Sequence, residues 1–348
     1  MFDTPLILLL FLAGISALWS EVPTLTLRRE FAVLGTTLFG VYFGNRYTHA
    51  QQLKLLAWAL GFAVIVSFVY VIAYPGYGVM MGSADLVGSW RGGFAHKNSL
   101  GRAMVLSCIV FFFLARSRRT YLYWAGAVVS VALVILSRSM TALLILVFLL
   151  FVSPLWKLTQ KPLSTLLPYA AVATAVILAS YAWITENIEV VLAALGKDPT
   201  LTGRTVLWTL AIEHVAEHPL FGWGYNAFWS GSGGSAVRWS AGWLVPHAHN
   251  GYLDLCLDLG IVGLCLFLLS FGLRLRRAMK EARHTNITTR LFPLVVLSFI
   301  FLYNFTESSI LTRNSVFWIV YVAVSCGNFR GLGLTTCSAA GLPLRKGV

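Results

Sequence analysis

The chain has 348 residues, of which 58% are apolar and only 11% charged, too little polar surface to clothe a soluble globule, so a bilayer is the solvent this composition fits. The net charge of +13 does not point to nucleic acid, because the basic residues are scattered through short joints instead of lining one face. The five cysteines, Cys108, Cys256, Cys265, Cys326 and Cys337, form no C-x-x-C pair and imply neither a disulfide nor a metal framework.

Ten apolar stretches, near residues 5–20, 31–45, 53–74, 100–115, 120–136, 139–156, 163–184, 251–270, 291–303 and 315–327, predict an all-α polytopic membrane protein with about ten transmembrane helices. Asp3 stands where a cleaved signal would carry a basic n-region, and no A-x-A-like site follows, so the first stretch reads as a retained helix. Arg46 and Lys54, Arg116 with Arg118 and Arg119, Lys157 and Lys161, the run from Arg274 to Arg290, and the tail residues Arg330, Arg345 and Lys346 occupy alternate joints. The positive-inside rule then puts both termini in the cytoplasm.

This divides the chain into a bundle of about seven helices over 1–184, a long outer loop over 185–250, further membrane helices over 251–327 and a cytoplasmic tail over 328–348. A loop of that length is expected to carry structure of its own. In it, Glu213 and Glu217 fall roughly opposite Arg204, Trp208 and Ala211 at helical spacing before Pro219, which predicts an interfacial amphipathic helix. Residues 221–226 and 231–235 read as turn-rich linkers, with Trp223, Trp229, Trp239 and Trp243 suited to the headgroup level.

Ten basic residues, Arg238 among them, are not needed for topology. Arg28 and Arg29 read as headgroup contacts and Lys197 as a solvated charge. Arg91, Lys97, Arg102, Arg138, Arg204 and Arg313 lie within about one turn of an apolar segment, where a cation is costly without a partner. The acids on that side are few: Asp85, Glu186, Glu189, Asp198, Glu213, Glu217, Asp254, Asp258 and Glu307. An anionic ligand is the natural missing partner, and the guanidinium fork suits a phosphorylated lipid headgroup; the plain alternative is pairing with lipid phosphate or backbone carbonyls.

Histidines 96, 214, 218, 247 and 249 lie on the same side, where an imidazole can take a proton from a hydroxyl. His249 stands out because it precedes Asn250 at the start of a membrane helix that carries Asp254 and Asp258 at i to i+4 spacing. Asp254 or Asn250 would fix its tautomer, against the plain readings of a helix cap or an inter-helix hydrogen bond. His247 and His249 form an H-x-H pair able to hold a metal, but no D-x-D, P-loop or dinucleotide fingerprint occurs, and neither a metal nor another cofactor is expected.

Three segments in order resemble the O-antigen ligase and Wzy-type polysaccharide polymerase family. Arg91-Gly92-Gly93-Phe94-Ala95-His96-Lys97-Asn98-Ser99-Leu100-Gly101 is similar to the R-x-x-F-x-H-x-N-x-x-G segment of exopolysaccharide-production polymerases. Gly203-Arg204-Thr205 with Trp208 is followed by His218-Pro219-Leu220-Phe221-Gly222-Trp223-Gly224, and His249-Asn250 by Gly260-Ile261-Val262-Gly263 in an H-N-x(9)-G-x-x-G pattern. Ser137 to Ala142 resembles the S-x-S-R-T-A turn in part, with Arg138 displaced and Met140 where arginine is usual.

The resemblance implies a GT-C-like fold in the bacterial inner membrane and a metal-independent glycosyltransferase working at the periplasmic face. The implied donor is a glycan on undecaprenyl pyrophosphate, with Arg91 and Arg204 binding the pyrophosphate and His249 acting on a glycan or lipid-linked acceptor. His96, Lys97, Asn98, Arg102, Arg138, Asn250, Asp254 and Arg313 are supporting candidates. Such chemistry needs stabilised leaving-group charge and a base for the acceptor hydroxyl, with inversion at the anomeric carbon. An exopolysaccharide or O-antigen polymerase is the first reading; a ligase acting on a lipid A core and a transporter or flippase of an anionic solute are the alternatives. Membrane lipids and envelope polysaccharide-assembly proteins are the expected partners.

Overall fold

The computed structural model describes residues 3–81, 86–118, 120–152, 204–242, 245–283 and 291–326. The predicted helix over 163–184, the first part of the loop with Lys197, Trp243, Asp85 and the tail lie outside them. The described elements are α1 (Thr4–Ile15), α2 (Pro23–Arg46), α3 (His49–Ala73), α4 (Lys97–Arg118), α5 (Tyr121–Leu136), α6 (Met140–Val152), α7 (Arg204–Glu217), α8 (Ser232–Ala241), α9 (Gly251–Arg283), α10 (Phe292–Tyr303) and α11 (Val316–Cys326). Among the described residues there is no strand, only an isolated antiparallel bridge between Val79 and Trp90.

Local chemistry places several helix starts. Proline lies in the first turn of α1, α2 and α10, where its missing N–H costs nothing. Thr48 and Gln51 form a reciprocal capping box at the head of α3. Helices α3, α4 and α9 are long and apolar enough to cross a membrane, and α1, α5, α6 and α10 are shorter apolar helices. The apolar window of α4 is 78% buried and that of α3 only 22%, so α4 runs through the centre and α3 presents most of its surface outward. Gly101 lets α4 approach α6 closely: a Cβ there would meet Ala142 at 2.8 Å and Ser139 at 2.9 Å.

Asp3 serves a structural purpose. Its carboxylate accepts from Arg274 Nε at 2.8 Å and from Ser270 Oγ at 2.7 Å, and Arg274 also donates to the Tyr321 carbonyl at 3.0 Å. The pair joins the head of α1 to α9 and α11 in a site where either charge alone would be costly.

Helix α9 continues through Arg283, well past the apolar run that ends near residue 270, because Arg274 is held inside the protein instead of ending the helix. It is interrupted at Gly260, whose φ of 65° and ψ of −166° are non-helical. The break frees backbone groups that an apolar environment would otherwise leave orphaned. The segment after α7 takes them up: Trp223 N–H donates to Leu257 O at 2.8 Å and Gly224 N–H to Asp258 O at 3.0 Å, while Ile261 N–H donates to Pro219 O at 2.8 Å and Val262 N–H to Leu220 O at 3.3 Å.

Three expectations are corrected. Residues 232–235 are not a linker but the first turn of α8; a Cβ on Gly233 would lie 2.4 Å from Phe228 and one on Gly234 2.6 Å from its carbonyl, so these glycines serve packing. Trp223 and Trp229 are not headgroup anchors: both pack on the cluster of Leu207, Ala211, Phe228, Val237 and Leu257, and their indole N–H groups donate to His214 O at 3.0 Å and Asp254 Oδ1 at 2.7 Å. Trp239 is exposed. Arg29 is no headgroup contact either, since it donates to Asn226 O and Ser230 Oγ. Helix α7 forms where predicted and buries Leu207 and Ala211 on protein.

Gly260→Ala places a Cβ 2.2 Å from Leu220 O in a conformation only glycine adopts readily. It is expected to destabilise the protein by at least about 1–3 kcal/mol, read as a lowered thermal midpoint in detergent, whereas Gly272→Ala, with open space around it on the same helix, does not lower the midpoint, since alanine favours a helix interior over glycine.

Candidate functional site

The site gathers where α4, α7 and α9 begin and α10 ends. The N–H of Gly251, first residue of α9, donates to Asn304 O at 2.8 Å, and a Cβ at Gly251 would lie 2.2 Å from Asn304 Oδ1, so only glycine permits this approach. It sets His249 beside Glu307 in the turn after α10. His249 has φ of 50°, a strained conformation for a non-glycine residue. Asn250 Oδ1 accepts the N–H groups of Tyr252 at 3.0 Å and Leu253 at 3.2 Å and so caps α9.

Glu307 is the centre. Its Oε1 accepts from Asn98 Nδ2 at 2.7 Å and faces Arg204 at 3.6 Å, and its Oε2 lies 3.4 Å from His249 Nδ1. Burial pushes this carboxyl up, but the adjoining imidazole of His249, with the charges of His247 and Arg204, outweighs it and holds the group at about 2. Arg204 also donates to Thr306 O at 3.0 Å. Asn98 is oriented in turn: Ser139 Oγ donates to its Oδ1 at 3.0 Å and Tyr303 OH to its carbonyl at 3.1 Å. Because a carboxylate only accepts, Asn98 must present its amide N–H₂ to Glu307, and the serine is left to donate.

Further side chains complete the rim. His96 Nδ1 accepts the Asn98 N–H at 3.2 Å; burial lowers its pKa, with Glu307 acting against it and Lys97, His249 and Arg204 reinforcing it. His247 Nδ1 accepts the His249 N–H at 3.1 Å, with the rings 4.2 Å apart, and burial lowers its pKa too. Asp254 accepts from Ala248 N–H at 2.9 Å, from Trp229 and from Ser308, and Trp208 donates to Ala248 O at 2.9 Å. The guanidinium of Arg102 lies over the Phe317 ring at 4.3 Å and donates to Ser308 O at 3.5 Å. Lys97 is buried at the head of α4.

Of the sequence candidates, the structure thus brings together His249, Arg204, Asn98, His96, Lys97, Arg102, Asn250 and Asp254. Asn250 and Asp254 hold backbone and neighbouring side chains in place, the plainer of the two readings, and Glu307 takes the position beside the imidazole. Arg91 donates to the carbonyls of Tyr77 and Gly76, Arg138 donates to Val87 O at 3.3 Å, and exposed Arg313 lies near Arg29 and Tyr225; no described contact joins these three to Glu307. Glu307 and Ser139 were not singled out by sequence reasoning. The signal for Glu307 was its rarity, as one of 13 acids in 348 residues and lying just after an apolar run.

The described residues thus form a helical fold, with three helices long and apolar enough to cross a membrane and a cationic cluster organised around one carboxylate at its helix ends. A family model described as O-antigen ligase matches residues 125–268. The chain is also 27% identical over 317 residues to the exopolysaccharide production protein ExoQ of Rhizobium meliloti (strain 1021), a match that spans 86% of this chain and 71% of that protein. The chain is thus similar, over part of its length, to the O-antigen ligase family and to an exopolysaccharide production protein, and three of its described helices are long and apolar enough to cross a membrane. The matched range of the family model includes Arg138, Arg204 and His249 and ends before Glu307.

A carboxylate depressed in the folded state stabilises it above its unfolded pKa and loses that contribution as pH falls through the folded value. The stability advantage of wild type over Glu307→Gln is therefore expected to be full above about pH 4.5 and to vanish progressively toward pH 2, as measured by chemical unfolding in detergent across that range.

Proposed function

We propose that the chain is a periplasmic-face glycosyltransferase that moves a glycan from undecaprenyl pyrophosphate to a sugar hydroxyl, acting in exopolysaccharide or O-antigen polymerisation. The single observation that carries this reading is the contact of Arg204, Glu307 and His249 at one set of helix ends. A guanidinium has five N–H donors, so Arg204 keeps donors for a phosphate beyond its bonds to Glu307 and Thr306. Arg204 holds the pyrophosphate and stabilises the charge that builds on it as the C1–O bond breaks; Arg91, engaged with the Tyr77 and Gly76 carbonyls away from this cluster, has its pyrophosphate role from the family resemblance alone.

With Nδ1 of His249 turned to Glu307, its Nε2 is the nitrogen that takes the acceptor hydroxyl proton, and Glu307 stabilises the imidazolium that results. The acceptor oxygen attacks C1 opposite the departing pyrophosphate, which inverts the anomeric centre. No step draws on a metal, because the arginines supply the positive charge. His96, Lys97, Asn98 and Arg102 support this arrangement, and Arg138 and Arg313 are assigned to the outer surface that receives the anionic donor. On this reading the fold is a GT-C-like bundle of about ten spans in the inner membrane with both termini in the cytoplasm, as the sequence and the resemblance imply, and three described helices of membrane-crossing length support it. The name of the relative, an exopolysaccharide production protein, favours the polymerase over a ligase that transfers to lipid A core.

In vesicles loaded with a radiolabelled undecaprenyl-pyrophosphate glycan and chelator, wild type is expected to lengthen products. His249→Ala should lower the rate about 10²–10⁴-fold, the usual worth of a general base, and Arg204→Ala should lower it about 10²-fold or more. Undiminished rates in both variants would remove the mechanism, and absence of wild-type turnover across several donors would return the chain to the transporter reading.

A further inference from the structure

Histidines 247 and 249 and Glu307 come together from two segments distant in sequence, the turn before α9 and the turn after α10. One donor atom from each lies within 4.8 Å of the others. Two imidazoles and one carboxylate form a common donor set for a borderline-soft divalent ion, and three protein ligands leave a coordination position open. The carboxylate is already aimed: Asn98 and Arg204 occupy the Oε1 side, so Oε2 faces the imidazoles. The rings are aligned by the His249 N–H bond to His247. Outer-shell bonds of this kind orient ligands in metal sites.

We propose that His247, His249 and Glu307 capture a zinc-class transition-metal ion, and that the captured ion blocks the site. Ligand distances of about 2.0–2.1 Å imply donors about 3.3 Å apart in a tetrahedral site, so capture draws the three atoms inward by side-chain rotation. Arg204 and Arg102 repel any cation here. Only an ion that bonds strongly to imidazole overcomes that repulsion, which selects zinc, copper or nickel over magnesium and calcium. Binding follows from the donor geometry alone. Inhibition rests on the glycosyl-transfer reading, because an ion on His249 and Glu307 removes the base and its partner together.

The test uses full-length protein without a histidine tag, purified in detergent, stripped of metal and titrated with Zn²⁺ against a chelating indicator. One ion per chain is expected, with millimolar Mg²⁺ failing to compete. His247→Asn retains an acceptor for the His249 N–H but loses the ring, and should bind Zn²⁺ at least tenfold more weakly, on the scale of about 10–100-fold that perturbed metal sites lose. His249→Ala should do the same, and His218→Ala, on an exposed histidine, should bind as wild type. Thermal midpoints and a Co²⁺ visible spectrum separate loss of ligation from loss of fold. In the transfer assay without chelator, Zn²⁺ should inhibit wild type at the concentration at which it binds, while His247→Asn transfers and needs at least tenfold more. Equal Zn²⁺ affinity in wild type and a folded His247→Asn, or competition by Mg²⁺, overturns the site. Binding without inhibition overturns the block, and absence of any wild-type transfer overturns the glycosyl reading while the titration still decides the site.

Discussion

The break in α9 at Gly260 organises the outer half of the molecule. A continuous helix would satisfy its own backbone and leave the 219–224 segment nothing to bind. Because the helix opens there, four backbone hydrogen bonds tie that segment to both sides of the gap, and in an apolar setting each of those groups would be costly to leave unmet. The 219–224 segment follows α7 directly, so the break also fixes the helix that carries Arg204 against the one that follows His249. Leu207 and Ala211 of α7 pack with Leu257 of α9, and Trp208 closes the arrangement on Ala248 O.

On that scaffold Glu307 acts as an electrostatic hub. A buried carboxylate is unfavourable alone, and this one is offset by an amide, a guanidinium and an imidazole on three separate helix starts. The arrangement is pre-organised in the sense that matters for charge-separating chemistry: the groups are oriented by their own partners, Asn98 by Ser139 and Tyr303, and need little reorganisation when charge moves. The strained backbone of His249 fits the same pattern, since strain persists only where the surroundings over-determine a residue.

How far the site was legible varies with the range of the interactions. The helix carrying Arg204, the start of α9 at Asn250 and the cationic excess were readable, because helix starts and apolar periodicity are local. Glu307 was not, because nothing in a sequence states that residues 98, 204, 249 and 307 share one volume. Gly231 to Ser235 read as a linker by composition, but Gly233 and Gly234 are there to let α8 lie on Phe228 and Trp229. Trp223, Trp229 and Arg29 were read as membrane-surface residues because their types are common there; in the fold each has a hydrogen-bond partner within the protein.

The sequence by itself determined that this is a helical membrane protein, where most of its apolar helices lie, and which motif segments carry its cations and histidines, since composition and short-range periodicity are properties of the chain. Only the tertiary structure decided which acid faces His249, which arginines join it and which bind elsewhere, and that Asp3 closes on Arg274 across 271 residues. Those choices rest on contacts between segments far apart in the chain, whose geometry is set by helix packing, a glycine break and the need to pair every buried charge.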